Sequence, residues 1–520
     1  MRSIHKMFWL GLTCAIAACS DDRPPPQVSS ARQTIVLDEQ VVFVDGTQKQ
    51  AFLLDLSGER PKSETGRYEL PPRASSAVRR NGDHNEALIL CAGEREREDS
   101  EAAPAALVVI AGDGEAREYE LGTTSFNTLT QSDDGRYAIA YRSGETPGRT
   151  LDNPNELVVV DLDLAPDAEG AVTGKTPAGL AHTLTRVLVS PSMRIAEEDR
   201  RLLVLLSAAE VTIFDLNHLD RRATIVQLDE RRNIDPVQVL FSNDQPTLYV
   251  RASSSDNIFM FRFEPFLNDE EGNDFQPAIN PLSAGGQPND MALFGDGTSE
   301  RLLVVASQQA LVIDPATSKT LPVTLRAAAN RVLVFSGRSP QDENERMRAL
   351  LYSTKENSMT FFDLEATADA PSDSVELVTS GQAVQALIPL IDGDEKSVVL
   401  LQERMVTILD LQTRTLTPFS TSTTLTDALF DPVRKKLWVG PAGEPYIQSL
   451  DLTTGRTGDE LRLDASITSF LPMFGSDRLL VLHSENLGYL TLVDAERPDR
   501  ENALSLRGYF VNQLFDRSDL

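Results

Sequence analysis

An all-β fold is predicted, a β-propeller of about ten four-stranded blade units in one ring closed by N- and C-terminal strands. Three observations predict it. From Thr34 onward, short runs rich in β-branched and aliphatic residues are split by Gly, Asp, Asn, Ser and Pro, with almost no stretch of helical period. An aliphatic run closed by Asp, and then by Leu or a turn residue, recurs along the chain. The mean spacing of that element is close to 49 residues, a period typical of units that hold several strands.

Ahead of the repeats, Arg2 and Lys6 precede an apolar run, Met7 to Ala18, of 12 residues. A helix needs ~20 residues to cross the hydrocarbon core, so residues 1–18 read as a secretory signal. Its end, Ile16-Ala17-Ala18-Cys19, resembles the bacterial lipobox. The resemblance implies lipidation of Cys19, and hence attachment to a membrane through acyl chains such as palmitate. Cys14 fits the pattern less well, because Thr13 stands where a small Ala or Gly is expected. The same resemblance implies the outer membrane, because Ser20 rather than Asp follows the cysteine. Residues 19–33 carry Asp21, Asp22 and Pro24-Pro25-Pro26, a composition that cannot pack and reads as an acidic, proline-stiffened tether.

Residues 34–516 form the predicted propeller and 517–520 a short tail. The recurring element appears as Phe52-Leu53-Leu54-Asp55-Leu56, Val158-Val159-Val160-Asp161-Leu162, Thr212-Ile213-Phe214-Asp215-Leu216 and Leu311-Val312-Ile313-Asp314-Pro315. It returns around Asp363, Asp410, Asp451 and Asp494. Successive aspartates are 106, 54, 99, 49, 47, 41 and 43 residues apart. Each of the two long intervals holds a degenerate copy: Leu107 to Asp113, and Asn257 to Glu264, where Arg262 stands in place of the Asp. Ten units result. The 483 residues of 34–516 give about 48 per unit for ten blades, 60 for eight and 69 for seven, and only the first agrees with the spacing. Seven or eight blades with insertions, or two smaller rings, are the alternatives.

In the unit after Leu425, Thr426–Phe430 is predicted as the inner strand and Lys435–Gly440 as the second. Tyr446–Leu452 follows as the third and Asp459–Leu463 as the outer one. The first unit opens on a second-strand pattern, Gln40–Val44, and Tyr509–Phe515 resembles an inner strand with no unit after it. Joining the two ends is predicted to close the ring and remove its exposed edges.

The segments Ile313 to Thr320, Leu409 to Arg414 and Leu450 to Arg456 resemble the strand-turn repeat of YVTN-type and quinoprotein-like propellers. Ser132-Asp133-Asp134-Gly135-Arg136-Tyr137 resembles their "SPDGRY" turn. The resemblance covers nearly the whole mature chain and implies architecture; it assigns no activity. The Trp-Asp dipeptide of WD40 repeats is absent, since the tryptophans are Trp9 and Trp438.

Composition narrows the chemistry. The 49 basic against 78 acidic residues give a formal charge of −29, which argues against nucleic acid as a partner. Cys19 and Cys91 are the cysteines left after signal removal, so an acylated Cys19 leaves Cys91 without a partner in the chain; its aliphatic neighbours predict a buried, inert thiol. His84, His182, His218 and His483 show no ligand spacing. No phosphate-loop, dinucleotide, nucleophile-elbow or zincin motif occurs, so no catalytic or cofactor-binding residue is assigned. The recurring aspartates are expected to cap turns rather than to bind metal. Three acidic loops are candidates for Ca²⁺, which takes several oxygen ligands: Asp161, Asp163, Asp167 and Glu169; Asn268 to Asp274; and Asp392, Asp394 and Glu395. The last set faintly resembles integrin-type calcium loops, and a solvated hairpin turn is the favoured reading. Glu94 to Asp99 and Asp342 to Arg346 read as solvated loops.

The expected function is that of a non-enzymatic, lipid-anchored binding or scaffolding protein of the bacterial cell envelope, holding an envelope protein or a glycan on its faces and loops. The alternative is a lactonase-like hydrolase with a metal in the central channel.

Overall fold

The computed structural model describes residues 32–516 except 47, 59–65, 95–101, 123–125, 145–154, 178–182, 196–197, 229–233, 244, 264–276, 296–298, 341, 366–374, 393–394, 421–424, 432–433, 442, 485–487 and 508–514. The expected signal, Cys19 and most of the expected tether therefore lie outside the described residues. Among those described there is no α-helix, and no helix long and apolar enough to cross a membrane.

Ten antiparallel sheets follow one another along the chain as blades 1 to 10, over residues 32–69, 74–120, 128–175, 184–227, 236–283, 290–329, 331–379, 386–420, 425–462 and 467–516. Their strands run in sequence order from the axis outward. Blade 9 has strands Leu425–Asp431, Lys436–Pro441, Tyr446–Asp451 and Arg456–Arg462, close to the predicted bounds. Blade 6 looks three-stranded because Arg301–Asp314 runs on as a single element of 14 residues. A straight strand of that length spans roughly 45 Å, yet Arg301 Nη2 lies 3.3 Å from Asp314 Oδ2. The element folds back on itself at Ser307, whose φ is 55°, and supplies both the second and third strands. Blade 4 adds a hairpin, Met193–Ile195 with Glu198–Arg200.

The middle strands are buried on both faces, and their sequences are continuous apolar runs such as Leu202–Ser207 and Leu157–Asp161. Alternate side chains on one strand face opposite neighbours. Leu437 and Val439 pack toward blade 8, whereas Trp438 packs toward blade 10. Inner strands such as Ala74–Arg79 are half-buried along their whole length, as strands lining an open axis must be.

Ten apolar clusters occur, one for each contact between neighbouring blades. The tenth joins the chain's two ends: Val41, Phe43, Phe52 and Leu54 of blade 1 pack on Leu480, Leu482, Leu490 and Leu492 of blade 10. This closes a single ring of ten four-stranded blades.

The closure differs in detail from the sequence expectation. Blade 1 has its own inner strand, Arg32–Val36, paired with Gln40–Asp45. The C-terminal Phe515–Asp516 instead pairs with Leu506 and Arg507 at the outer edge of blade 10; residues 508–514 are outside the described set. Side-chain packing and turn contacts therefore seal the ring, because a complete first blade offers no vacant inner position. The Gly475 N–H donates to the Asp38 carbonyl at 3.1 Å, and Arg478 Nη1 donates to the Leu56 carbonyl at 3.0 Å. A Cβ on Gly475 would meet Glu39 Cγ at 2.8 Å, so the two turns touch too closely for a side chain at that position.

Candidate functional site

Strict up-and-down topology places the turns between strands one and two, and between strands three and four, on one face of the ring. Most of the recurring aspartates end the third strand and therefore share that face. Each carboxylate accepts a backbone N–H two residues on: Asp55 from Ser57 at 3.0 Å, Asp161 from Asp163 at 3.2 Å, Asp215 from Asn217 at 3.0 Å and Asp314 from Ala316 at 2.9 Å. Asp363, Asp410, Asp451 and Asp494 do the same for Glu365, Gln412, Thr453 and Glu496. Asp113, in the degenerate second copy, caps Glu115 at 3.0 Å. The expected turn-capping role holds in nine blades.

The carbonyl after the aspartate has a second use. At four seams it accepts a hydrogen bond from a basic side chain of the preceding blade. Arg478 reaches Leu56, Arg117 reaches Leu162 at 3.2 Å, Arg262 reaches Pro315 at 2.7 Å and Lys436 reaches Ala495 at 2.9 Å. The turn at Ser132 to Tyr137 is likewise a docking point. Arg80 Nε donates to the Gly135 carbonyl at 2.7 Å and Asn81 Nδ2 to the Ser132 carbonyl at 2.9 Å, both from blade 2.

Several candidate residues are used structurally. In the first calcium candidate, Asp161 is paired with Arg136 and Asp163 with Arg80, each at 2.8 Å. The second, Asn268 to Asp274, lies outside the described residues. In the third, the backbones of Asp392 and Glu395 pair in register at a hairpin turn, and Asp394 is not described. No group of three or more His, Cys, Asp or Glu able to hold a metal occurs among the described residues. Cys91 is buried and free, and burial, followed by the Glu118 charge, pushes its thiol up to about 12. His483 is buried between the Ala465 carbonyl at 2.9 Å and Thr491 Oγ1 at 2.8 Å. The charged run from Asp342 is not a loop: it opens the strand Asp342–Tyr352, where Arg346 pairs in register with Gly337. Backbone pairing outweighs polarity there because both strands extend past the packed body of the blade.

One cavity, of about 310 Å³, opens between blades 5 and 6 on the aspartate face. Its walls come from Pro246, Tyr249, Met260, Phe263, Pro315 and Ala316, and its polar groups from Gln245, Thr247, Arg262 and Glu300. Glu300 is 5% exposed. Its Oε2 accepts Ser242 Oγ at 2.7 Å and its Oε1 accepts the Tyr249 hydroxyl at 3.1 Å. Burial, and then the Glu300 charge, push the Tyr249 phenol up, so it remains a donor at neutral pH. Arg262 carries a sequence signal, as the residue that breaks the aspartate repeat. Glu300 and Tyr249 carry none, because only the ring brings positions 51 residues apart into contact.

No protein-family model matches the chain, and no curated protein matches it. Among solved structures it is similar to dihydro-heme d1 dehydrogenase NirN in complex with DHE, with 10% identity and a TM-score of 0.43, over 84% of this chain and 75% of that one.

Proposed function

We propose that this chain is a lipid-anchored, non-enzymatic binding or scaffolding protein of the bacterial envelope, held in the outer membrane through Cys19 and offering its ring faces to an envelope protein or a glycan. The observation that supports the reading is the use of the repeated carboxylates. Nine of them cap turns on one face and so fix the shape of a broad surface rather than a reaction centre. Two or more acyl chains on Cys19 hold such a body firmly at a membrane, since each buried CH₂ contributes ~0.8 kcal/mol.

The test is affinity purification of the full chain from detergent-solubilised envelopes, alongside fractionation of Cys19→Ala. Co-purification of a defined protein or glycan, and release or non-processing of Cys19→Ala, are expected. Unchanged membrane fractionation and acyl labelling in that variant would remove the anchor, and turnover of a small molecule without any partner would remove the scaffold.

A further inference from the structure

The cavity between blades 5 and 6 sits where the repeat departs from itself. In nine blades the aspartate near the end of the third strand uses its carboxylate on its own turn. In blade 5 that position is Arg262, which reaches across the seam to the Pro315 carbonyl. This contact uses one of the five N–H donors of the guanidinium, and among the described residues Arg262 has no carboxylate partner. Glu300 lines the same cavity. Its hydrogen-bond donors, Ser242 and Tyr249, are neutral hydroxyls; they solvate the carboxylate without neutralising it and leave about two of its four acceptor positions open. The adjacent cation, Arg301, is engaged with Asp314 and with the Glu300 backbone carbonyl rather than with the carboxylate.

The cavity therefore holds two groups of opposite charge between apolar walls, and among the described residues neither is matched by an ion pair. Glu300 is buried and Arg262 half-buried; a buried charge without a direct ion-pair partner is costly, and a ligand bearing both complements gives Glu300 that partner while engaging Arg262. A simple amine satisfies Glu300 and leaves Arg262 unused. A simple carboxylate does the reverse and must also approach a chain of formal charge −29. A zwitterion meets neither objection. At about 310 Å³ the cavity lies at the small end of ligand sites, which run roughly 300–1,000 Å³, and suits a molecule of amino-acid size.

We propose that this cavity binds an α-amino acid with an apolar side chain: its ammonium on Glu300, its carboxylate on Arg262, and its side chain against Met260 and Phe263. The site opens on the face whose turns the aspartates cap, and binding of a free amino acid there requires neither a partner nor the anchor.

Isothermal titration of the purified full chain in detergent tests it, with L-leucine and L-phenylalanine as probes and isoamylamine and isovalerate as single-charge controls. Saturable one-to-one binding of an amino acid is expected, with each control at least about ten-fold weaker. Glu300→Gln keeps the shape of the side chain and should weaken amino-acid binding about ten-fold or more. Arg262→Asp places at this position the residue that eight other blades carry there; it gives up the seam hydrogen bond to Pro315, and with the fold verified by circular dichroism it should lose amino-acid binding and turn the preference toward isoamylamine. Absence of saturable heat from both amino acids at millimolar concentration, or affinity unchanged in either variant, would overturn the proposal. These measurements involve neither membrane nor partner, so their failure is distinct from failure of the scaffold reading.

Discussion

Blade 10 meets blade 1 at the one interface with no chain connection across it. At the other nine, a short segment between consecutive blades keeps the two faces at high effective concentration even when their packing is weakened. Leu480→Ala is the informative perturbation, since Leu480 is fully buried in the cluster that joins the two ends. Truncating such a leucine costs about 2.7–5 kcal/mol, by lost transfer energy and by the cavity left behind. Leu350→Ala is the matched control, equally buried in the cluster between blades 7 and 8, and carries a similar local cost. The consequences should differ: Leu350→Ala lowers the melting temperature and leaves the ring closed, whereas Leu480→Ala also frees blades 1 and 10. Hydrogen exchange resolved by blade reads this directly, with faster exchange in Gln40–Asp55 and Arg478–Asp494 in the Leu480 variant alone. Deletion of 508–520 is the counterpart. Among the described residues it removes only two register pairs at the outer edge of blade 10, worth about 1 kcal/mol each. If the deletion destabilises as much as Leu480→Ala, or if exchange in blade 1 does not rise in Leu480→Ala, closure by face packing is wrong.

Gly135 has φ 72°, and a Cβ there would meet the Asn81 carbonyl oxygen at 2.3 Å, whereas Gly58, at φ 79°, has nothing within 4 Å. Gly58→Ala should therefore cost only the left-handed penalty of about 1–2 kcal/mol, and Gly135→Ala clearly more, as thermal melts of the two variants will show. Cys91 should resist alkylation at pH 8 until the chain unfolds. Because its folded pKa, about 12, lies above the ordinary 9.0, its contribution to stability is complete below pH 9 and is lost as pH rises toward 12, which a Cys91→Ala comparison across that range would detect. The Asp451 carboxyl is held below the usual range, chiefly by the Thr454 N–H. Its contribution is thus present above about pH 3.9 and lost as pH falls below it, and Asp451→Asn should flatten that part of the acid titration of stability.

The repeat was legible because its middle strands are buried on both faces, which demands unbroken aliphatic runs, and because each run must turn sharply, which places an aspartate beside it. Composition and a 49-residue spacing therefore carried the ten blades. Inner strands were harder to read. Arg32–Val36 begins Arg-Gln-Thr and resembles tether, since a strand with one side toward an open axis needs only half its residues apolar.

What the sequence alone determined was set by neighbours along the chain: the buried middle strands, their turns and caps, and the anomaly at Arg262. The tertiary structure decided what depends on distant positions meeting. It set how the ends seal, where Arg478 and Leu56 touch across 422 residues, and that Arg262 shares a cavity with Glu300 and Tyr249. Such meetings are set by the rotation between successive blades and the closure of the ring, and no local pattern of residues encodes either.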